Sequence, residues 1–327
     1  MKVVSLFSGC GGLDLGFKRA GFNVLWANEY DSTIVETYSI NHPNTFLETS
    51  DIRTINESMI PDCDGIIGGP PCQAWSEGGK CLGLNDERGK VFLDYIRIVS
   101  CKRPKFFLIE NVKGLLSEKH IRTFYSFLSI LERAGYIVDY SVLNAADFKI
   151  PQDRVRVFVV GIRKDINRKF LFPKATTESF ITLRKAIGDI TEQPKVYLDD
   201  FVNQNYTNWL NHDVYTGPYD EKYMSRNRVR SWNEISFTIQ ALAKNAPIHP
   251  QAPKMVYISP NKRVFVSGKE FLYRRLSIRE CARIQSFPDK FRFIYSDIKN
   301  GYKMVGNAVP PRLAYVLANA ILNSCFI

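Results

Sequence analysis

The 327-residue sequence lacks the features that mark several common protein classes. Its seven cysteines include no C-x-x-C pair and its four histidines show no metal-ligand spacing, so we expect neither a zinc site nor a disulfide framework. No segment approaches about 18 continuous apolar residues, so no transmembrane helix is predicted. The apolar run at the N-terminus is too short for a signal peptide. We therefore expect a cytoplasmic protein that binds no metal.

Acidic residues are in the minority. The sequence has 44 Lys and Arg against 33 Asp and Glu, a formal net charge of +11. A balance this basic favours a polyanionic partner, most often nucleic acid. The alternative is a basic surface that only keeps the protein in solution.

The first 165 residues alternate apolar runs with amphipathic stretches. Strand-like runs lie at 2–7, 23–29, 64–69, 104–112, 136–145 and 154–163, and helix-like stretches lie at 11–21, 31–42, 89–101 and 118–135. This alternation predicts an α/β fold, a doubly wound and mostly parallel sheet with helices on both faces.

Residues 166–270 break this rhythm. They are richer in Asn, Tyr, Pro, Lys and Arg, with short β-like runs such as "SFTIQAL" at 236–242. We interpret this segment as a smaller, irregular, β-rich domain. Helical periodicity returns at 277–287 and again at 310–325, where an apolar face would pack on the sheet.

The stretch "FSGCGG" (7–12) follows the first strand and opens the first helix. A glycine-rich turn at this place lets a ligand approach the backbone and meet the helix N-terminus. The spacing is not G-x-G-x-x-G, so no clear pyrophosphate cradle is predicted, whereas a carboxylate or ribose end would fit. The alternative is a purely structural tight turn.

Acidic residues come at the ends of the next two candidate strands. Glu29 lies in "NEYD", where an acid commonly binds ribose hydroxyls, and Asp51 lies in "SDIR". Because the carboxyl ends of parallel strands meet at one edge, these acids and the glycine turn would line one crevice. The pattern favours a nucleoside-containing cofactor there. The alternative is that both acids are helix caps.

The stretch "GGPPCQAWSEGG" (68–79) displays Cys72 on a corner made by Pro70 and Pro71. The prolines remove two backbone donors and end the strand, and a glycine-rich polar connection follows. Glu110 in "LIENV" ends an adjacent strand, where a carboxylate is costly to bury without a partner. A thiol and a carboxyl at one sheet edge supply a nucleophile and an acid–base group.

Arginines alternate in "QDRVR" (152–156). A strand would place Arg154 and Arg156 on one face, where a pair of guanidinium groups could bind a phosphate or a base carbonyl. The alternative is an ordinary surface strand.

In this order the motifs resemble those of the DNA cytosine-5 methyltransferase family. The resemblance covers eight blocks over nearly the whole chain: "LFSGCGG", "NEYD", "DI", "GGPPCQ", "ENV", "QDRVR", "RRLSIRECARIQSF" and "GYKMVGNAVP". The sequence departs from the family at Ser5, where many members have aspartate, and at Ser286, where glycine is common.

The resemblance implies a catalytic role for four residues. Cys72 matches the nucleophile that adds to C6 of cytosine, and Glu110 matches the glutamate that holds the N3 and amino edge of the base. Arg156 matches the arginine that contacts the base O2. Arg154 matches a neighbour that supports the site and the DNA backbone. The target cytosine would be flipped out of the duplex, with the 73–90 loop closing over it.

The resemblance also implies the cofactor S-adenosylmethionine. The residues that match its binding motifs are Phe7, Gly9, Cys10, Gly11, Gly12, Glu29, Asp51, Ile52, Pro71, Val91, Asn307, Ala308 and Val309. The last three match a motif that folds back beside the first. We therefore expect a discontinuous catalytic and cofactor-binding domain, 1–165 plus 288–327, and a target-recognition domain at 166–287.

The recognition segment resembles that of GGCC-specific bacterial modification methyltransferases. The shared stretches are "YMSRNRVRSWNE" (223–234), with Arg226, Arg228 and Arg230, and "HPQAP" (249–253). Arginine reads guanine O6 and N7 in a bidentate contact, which suits a GC-rich site. Lys244 stands where those enzymes have an arginine.

The resemblance predicts a bacterial enzyme that acts on double-stranded DNA in a restriction–modification system, with a separate cognate endonuclease. A single small recognition domain is consistent with a monomer. A tRNA cytosine-5 methyltransferase shares the catalytic motifs, but the arginine run favours duplex DNA. A catalytically inactive DNA-binding protein does not explain the intact set of Cys72, Glu110 and Arg156. A nicotinamide-dependent oxidoreductase does not fit the glycine spacing.

Overall fold

The computed structural model describes residues 1–71, 87–176, 179–196 and 210–326. Cys72 and residues 73–86 therefore lie outside the described part of the chain. Within it, one seven-stranded sheet is built from β1 (Lys2–Leu6), β2 (Asn23–Asn28), β3 (Phe46–Glu48), β4 (Gly65–Gly68), β5 (Phe106–Val112), β6 (Tyr136–Asn144) and β7 (Val155–Arg163).

The strand order is β3-β2-β1-β4-β5-β7-β6. The first five strands along this order pair in parallel, and β7 pairs antiparallel with both β5 and β6. The predicted mostly parallel α/β sheet is thus confirmed. The chain adds β2 and β3 on one side of β1 and then β4 and β5 on the other side. The switch point between β1 and β4 is where ligands bind in doubly wound folds.

Helices cover both faces of the sheet, as predicted. The described helices are α1 (Gly12–Arg19), α2 (Ser32–Asn41), α3 (Glu87–Lys102), α4 (Ile121–Arg133), α5 (Leu183–Ile187), α6 (Ile278–Ile284), α7 (Ile298–Asn307) and α8 (Pro311–Cys325). On one face, α3 and α4 bury Tyr95 and Phe124 against Val4 and Phe107. On the other, α1 and α8 bury residues such as Phe17 and Leu317. Burial on both faces explains why the central strands are continuously apolar.

A third hydrophobic cluster joins α5, α6 and α7 to residues 239–246. It also takes in Cys10 and Ile34 from the first part of the chain. Phe287 and Phe291, on either side of the domain boundary predicted at 287/288, both belong to it. The division into a catalytic and a recognition domain remains a prediction, and this shared core is what would hold the two together.

The described part of 166–287 has little regular β-structure. Two two-stranded sheets pair β8 (Lys195–Val196) with β9 (Asp213–Val214), and β10 (Val256–Ser259) with β11 (Lys262–Val264). The strand expected at 236–242 was wrong. Ser236 makes one isolated bridge to Gln152, and the Ile239 N–H donates to the Gln152 side chain at 2.8 Å instead of to a neighbouring strand.

Two features are absent from the residues that the structure describes. No helix there is long and apolar enough to cross a membrane. Nor do those residues contain a group of three or more His, Cys, Asp or Glu side chains that could hold a metal ion.

The packing of α1 on α8 depends on Gly16. A Cβ atom added there would lie 2.3 Å from the Ala314 Cβ and 2.6 Å from the Pro311 carbonyl oxygen. Gly16→Ala would normally stabilise a helix, but here we expect it to lower the free energy of unfolding by about 1–3 kcal/mol because the two helices must separate. Urea denaturation measures this, with Arg122→Ala on the exposed surface of α4 as the control. A gain in stability in Gly16→Ala would contradict this packing.

Candidate functional site

The carboxyl ends of β1, β2, β4 and β5 meet at one edge of the sheet, and most of the predicted site residues lie there. β1 leads into the glycine turn, β2 into Glu29, β4 into Pro71 and β5 ends beyond Glu110. This shared edge follows from the parallel pairing of the four strands.

The glycine turn has left-handed backbone at three positions: φ is 54° at Phe7, 55° at Gly9 and 84° at Gly11. Gly11 is the N-cap of α1. The space that a side chain would need there is occupied by His42, because an added Cβ would lie 2.1 Å from His42 Nε2. At Gly9 an added Cβ would meet nothing within 4 Å, so that side of the turn faces open space. A ligand could occupy this space and reach the N-terminus of α1.

Glu29 braces this turn. Its two carboxylate oxygens accept hydrogen bonds from the Gly9 N–H and the Asp31 N–H, each at 2.8 Å. Burial raises the pKa of the Glu29 carboxyl. Asp31, not Glu29, is the N-cap of α2. Glu29 therefore links the end of β2 to the glycine turn and does not serve as a helix cap.

Asp51 does act as a cap. Its side chain accepts from the Arg53 N–H at the start of a short 3₁₀ helix, Ile52–Thr54, and also pairs with the Arg53 guanidinium. That hydrogen bonding lowers the pKa of Asp51. Ile52 is buried in the core below α3, and Val91 on α3 packs against the same cluster. Asn28, which the sequence patterns did not single out, ties this segment to β2 by donating to the Ser50 carbonyl at 2.9 Å.

The C-terminal segment folds back beside the glycine turn. A Cβ on Gly12 would lie 2.5 Å from the Val309 carbonyl oxygen and 3.1 Å from the Ala308 Cβ. The Cys10 thiol donates to the Met304 carbonyl at 3.5 Å, and burial raises its pKa to about 12. Asn307 is exposed at the end of α7. The first and last motifs are thus in contact.

Glu110 and Arg156 form an ion pair. They lie on the adjacent strands β5 and β7, and Arg156 Nε is 3.1 Å from Glu110 Oε1. The pair is largely buried, with side-chain exposures of 17% for Arg156 and 11% for Glu110. A carboxylate at this depth is stable because the guanidinium compensates its charge.

The end of β4 lies directly against this ion pair. A Cβ on Gly69 would be 3.2 Å from Glu110 Oε2, and the Asn111 side chain donates to the Pro70 carbonyl at 3.2 Å. Pro71 is the next residue, and it is partly exposed. The chain therefore reaches Cys72, which lies outside the described residues, from a position beside the Glu110 carboxylate.

The two arginines of "QDRVR" do not share partners. Arg154 precedes β7, is 1% exposed, and donates to the carbonyls of Ile239, Gly306 and Ala308 at 3.0–3.1 Å. Arg156 instead pairs with Glu110. The expectation that both would present one binding face is wrong, because Arg154 lies before the strand and is bound by backbone oxygens.

The four basic residues predicted to recognise DNA also have different surroundings. Arg226 and Arg228 line a cleft together with Asp153, Asn227, Phe237, Thr238, Gln240, Asn245 and Pro247. Arg226 is exposed and its side chain has no partner within the described ranges, whereas Arg228 is held by the carbonyls of Tyr223 and Lys222.

Arg230 and Lys244 are bound to acids. Arg230 pairs with Glu234 at 3.1 Å and stacks on the Phe237 ring, and Lys244 pairs with Asp220 at 3.1 Å. Of the four, only Arg226 and Arg228 contribute to the cleft as described.

Comparisons with known proteins identify the family of this chain. The model of the C-5 cytosine-specific DNA methylase family matches residues 1–323. The chain is 50% identical over 330 residues to type II methyltransferase M.NgoPII of Neisseria gonorrhoeae, covering 98% of this chain and 95% of that protein. It is 51% identical to type II methyltransferase M.FnuDI of Fusobacterium nucleatum, covering 98% and 94%. A solved structure described as a DNA modification methyltransferase encoded within an E. coli prophage superposes with a TM-score of 0.74 at 25% identity, covering 99% of both chains.

The sheet, its carboxyl-edge site and these matches define a methyltransferase fold. The chain belongs to the C-5 cytosine-specific DNA methylase family, and it is an enzyme that methylates cytosine in DNA at C5.

The burial of Arg154 predicts a structural role. We expect Arg154→Met to lower the free energy of unfolding by about 3 kcal/mol, because buried carbonyl groups lose their charged donor. Urea denaturation measures this loss, and Arg122→Met, on the exposed surface of α4, should change it by less than about 0.5 kcal/mol. Loss of activity in Arg154→Met at unchanged stability would instead support the catalytic role expected from the resemblance.

Proposed function

We propose that the enzyme transfers a methyl group from S-adenosylmethionine to C5 of a flipped cytosine within GGCC in duplex DNA. The observation that carries the proposal is the buried Glu110–Arg156 pair beside the end of β4, from which the chain enters Cys72. A cognate restriction endonuclease acting separately would complete the system.

The residues at the sheet edge fit the proposed cofactor. Open space at Gly9, the N-terminus of α1 and the Glu29 carboxylate offer a cradle for a polar ligand with hydroxyl groups. We assign its walls to Phe7, Gly9–Gly12, Glu29, Asp51, Ile52, Pro71, Val91 and Asn307–Val309. When bound, S-adenosylmethionine supplies an electrophilic methyl group on a positively charged sulfur.

Cys72, Glu110 and Arg156 are proposed to activate the cytosine. The Cys72 thiolate forms a bond to C6, which breaks the aromaticity of the ring and makes C5 nucleophilic. A proton taken up from solvent is shared between Glu110 and N3, and Arg156 donates to O2, so that both contacts withdraw electron density from C6. After C5 has gained the methyl group, a base removes the C5 proton and the C6–S bond breaks, which restores the ring and the thiolate.

Recognition of DNA is proposed to use the cleft lined by Arg226 and Arg228. The formal net charge of +11 supports binding to the phosphate backbone, and unstacking of the target base is required because C5 and C6 lie inside the duplex. Arg228 is preorganised by two carbonyl partners, and Arg226 is unengaged within the described ranges. A bidentate contact from the exposed Arg226 guanidinium suits a guanine of GGCC, while Arg228, which donates through Nε and Nη2 to backbone carbonyls, shapes the cleft.

Catalytic variants test the proposed chemistry. We expect Cys72→Ser to lower methyl transfer by about a thousandfold or more and Glu110→Gln by about a hundredfold or more. The measurement is incorporation of tritiated methyl groups into duplex DNA, with tRNA as a second substrate. Covalent trapping on 5-fluorocytosine DNA should occur in the wild type and be lost in Cys72→Ser. Equal trapping in both proteins would remove Cys72 as the nucleophile, and labelling of tRNA in place of DNA would overturn the proposed substrate.

Recognition variants test the proposed site. Arg226→Ala should lower kcat/KM on a GGCC duplex about 10- to 100-fold, with a smaller loss on duplexes that carry one substituted base. The control is Arg19→Ala, which also removes one positive charge but lies at the opposite edge of the sheet, at the end of α1. Methylation of the substituted duplexes by the wild-type enzyme as fast as GGCC would refute the assignment.

A further inference from the structure

A buried polar cluster lies beneath the glycine turn, and no sequence motif pointed to it. At its centre is His42, the residue that follows α2, which is 1% exposed. Its ring stacks on Tyr38 at a centroid distance of 4.5 Å and meets Phe291 edge-on at 6.2 Å. The proposed catalytic steps use none of these side chains.

The hydrogen bond to Lys18 determines the tautomer of His42. Lys18 Nζ lies 3.0 Å from His42 Nδ1. An ammonium group can only donate, so Nδ1 must be the acceptor and the ring proton of a neutral imidazole must be on Nε2. Burial and the Lys18 charge lower the pKa of His42 to about 3, so the ring is neutral at physiological pH.

The Nε2–H group is directed at the glycine turn. A Cβ on Gly11 would lie 2.1 Å from Nε2, which places the ring directly behind the left-handed Gly11. Nε2 is buried and forms no regular hydrogen bond within the described ranges, while the backbone of Cys10 and Gly11 favours a proton on the ring. The donor therefore packs against the side of the turn that Gly11 presents to the protein interior.

The remaining members of the cluster fix the ring. Asp14 is fully buried and accepts hydrogen bonds from Ser5 Oγ and from Tyr38 Oη, each at 2.6 Å. Ser5 is the position that departs from the family pattern, and here it is a partner of Asp14. Lys18 and Asp14 from α1 and Tyr38 from α2 are the titratable side chains around His42, and the Cys10 thiol lies in the turn itself.

We propose that His42 is a positioning residue for the methyl-donor site. With its Nε2–H facing the turn, the tautomer that Lys18 selects, the ring packs behind Gly11 and keeps the Cys10–Gly11 turn in the conformation that presents the N-terminus of α1 to the ligand. This inference rests on the proposed use of S-adenosylmethionine.

Changing the partner of Nδ1 tests the tautomer. In Lys18→Glu, the new carboxylate accepts from Nδ1–H, which leaves a lone pair on Nε2 facing the turn. The carboxylate also raises the pKa of His42, since it favours the charged ring. As pH falls the ring gains a second proton and regains Nε2–H. We therefore expect Lys18→Glu to bind S-adenosylhomocysteine about tenfold more weakly than wild type at pH 8, and to recover toward pH 6.

Lys18→Gln is the matched control. Its amide can donate to Nδ1, so binding should stay within about threefold of wild type and independent of pH between 6 and 8. The measurement is isothermal titration calorimetry with S-adenosylhomocysteine on the full chain, alongside thermal unfolding of each variant. Lys18 is half-buried at the surface end of the cluster, so both changes should leave the fold intact.

The outcomes separate the two proposals. Failure of the wild-type protein to bind S-adenosylhomocysteine would refute the proposed cofactor, and this inference with it. Wild-type binding together with a flat pH profile in Lys18→Glu would overturn the role of His42 alone. If Lys18→Glu fails to fold, His42→Leu and His42→Gln replace it as the test. Weaker binding of S-adenosylhomocysteine by His42→Leu, with recovery in His42→Gln, whose amide replaces Nε2–H, supports the proposal. Equal binding by both variants contradicts it.

Discussion

One buried guanidinium joins three distant parts of the chain. Arg154 binds the carbonyls of Ile239, Gly306 and Ala308, so a single side chain joins the start of β7, the recognition segment and the turn that carries Asn307 and Val309. A charge this deeply buried is stable only with all of its partners in place, which makes the contact cooperative. Together with the packing of α1 on α8, it brings residues from opposite ends of the chain to one edge of the sheet.

That edge of the sheet brings the two proposed sites, for the methyl donor and for the target base, next to each other. On one side of β1, the glycine turn, Glu29 and the 307–309 segment form the cradle assigned to the methyl donor. On the other side, the end of β4 lies against Glu110, which is paired with Arg156. Both places lie at the switch in strand order between β1 and β4, because that switch opens a crevice at the carboxyl ends of the strands. Under the proposed function, this arrangement would place the methyl donor and the target base at adjacent strand ends.

The central sheet could be predicted from the sequence because its strands are apolar on both faces and alternate with amphipathic helices. α7 was missed because Gly301 and Gly306 interrupt its pattern, and both are required by close packing against Tyr295 and the Gln240 backbone. The run at 236–242 has strand-like composition, but a side chain, Gln152, takes the Ile239 N–H. Glu110 and Arg156 could be found by motif, whereas the partners of Arg154 and the packing of His42 are long-range contacts that no local pattern encodes.

The proposed activity of this enzyme is methylation of C5 of one cytosine in GGCC. Bisulfite sequencing of DNA from cells that express the protein tests it most directly, with cells expressing Cys72→Ser as the blank. Cytosines should be protected at one position of GGCC on both strands, and nowhere else. Full conversion of every GGCC cytosine, or protection in another sequence context, would contradict it.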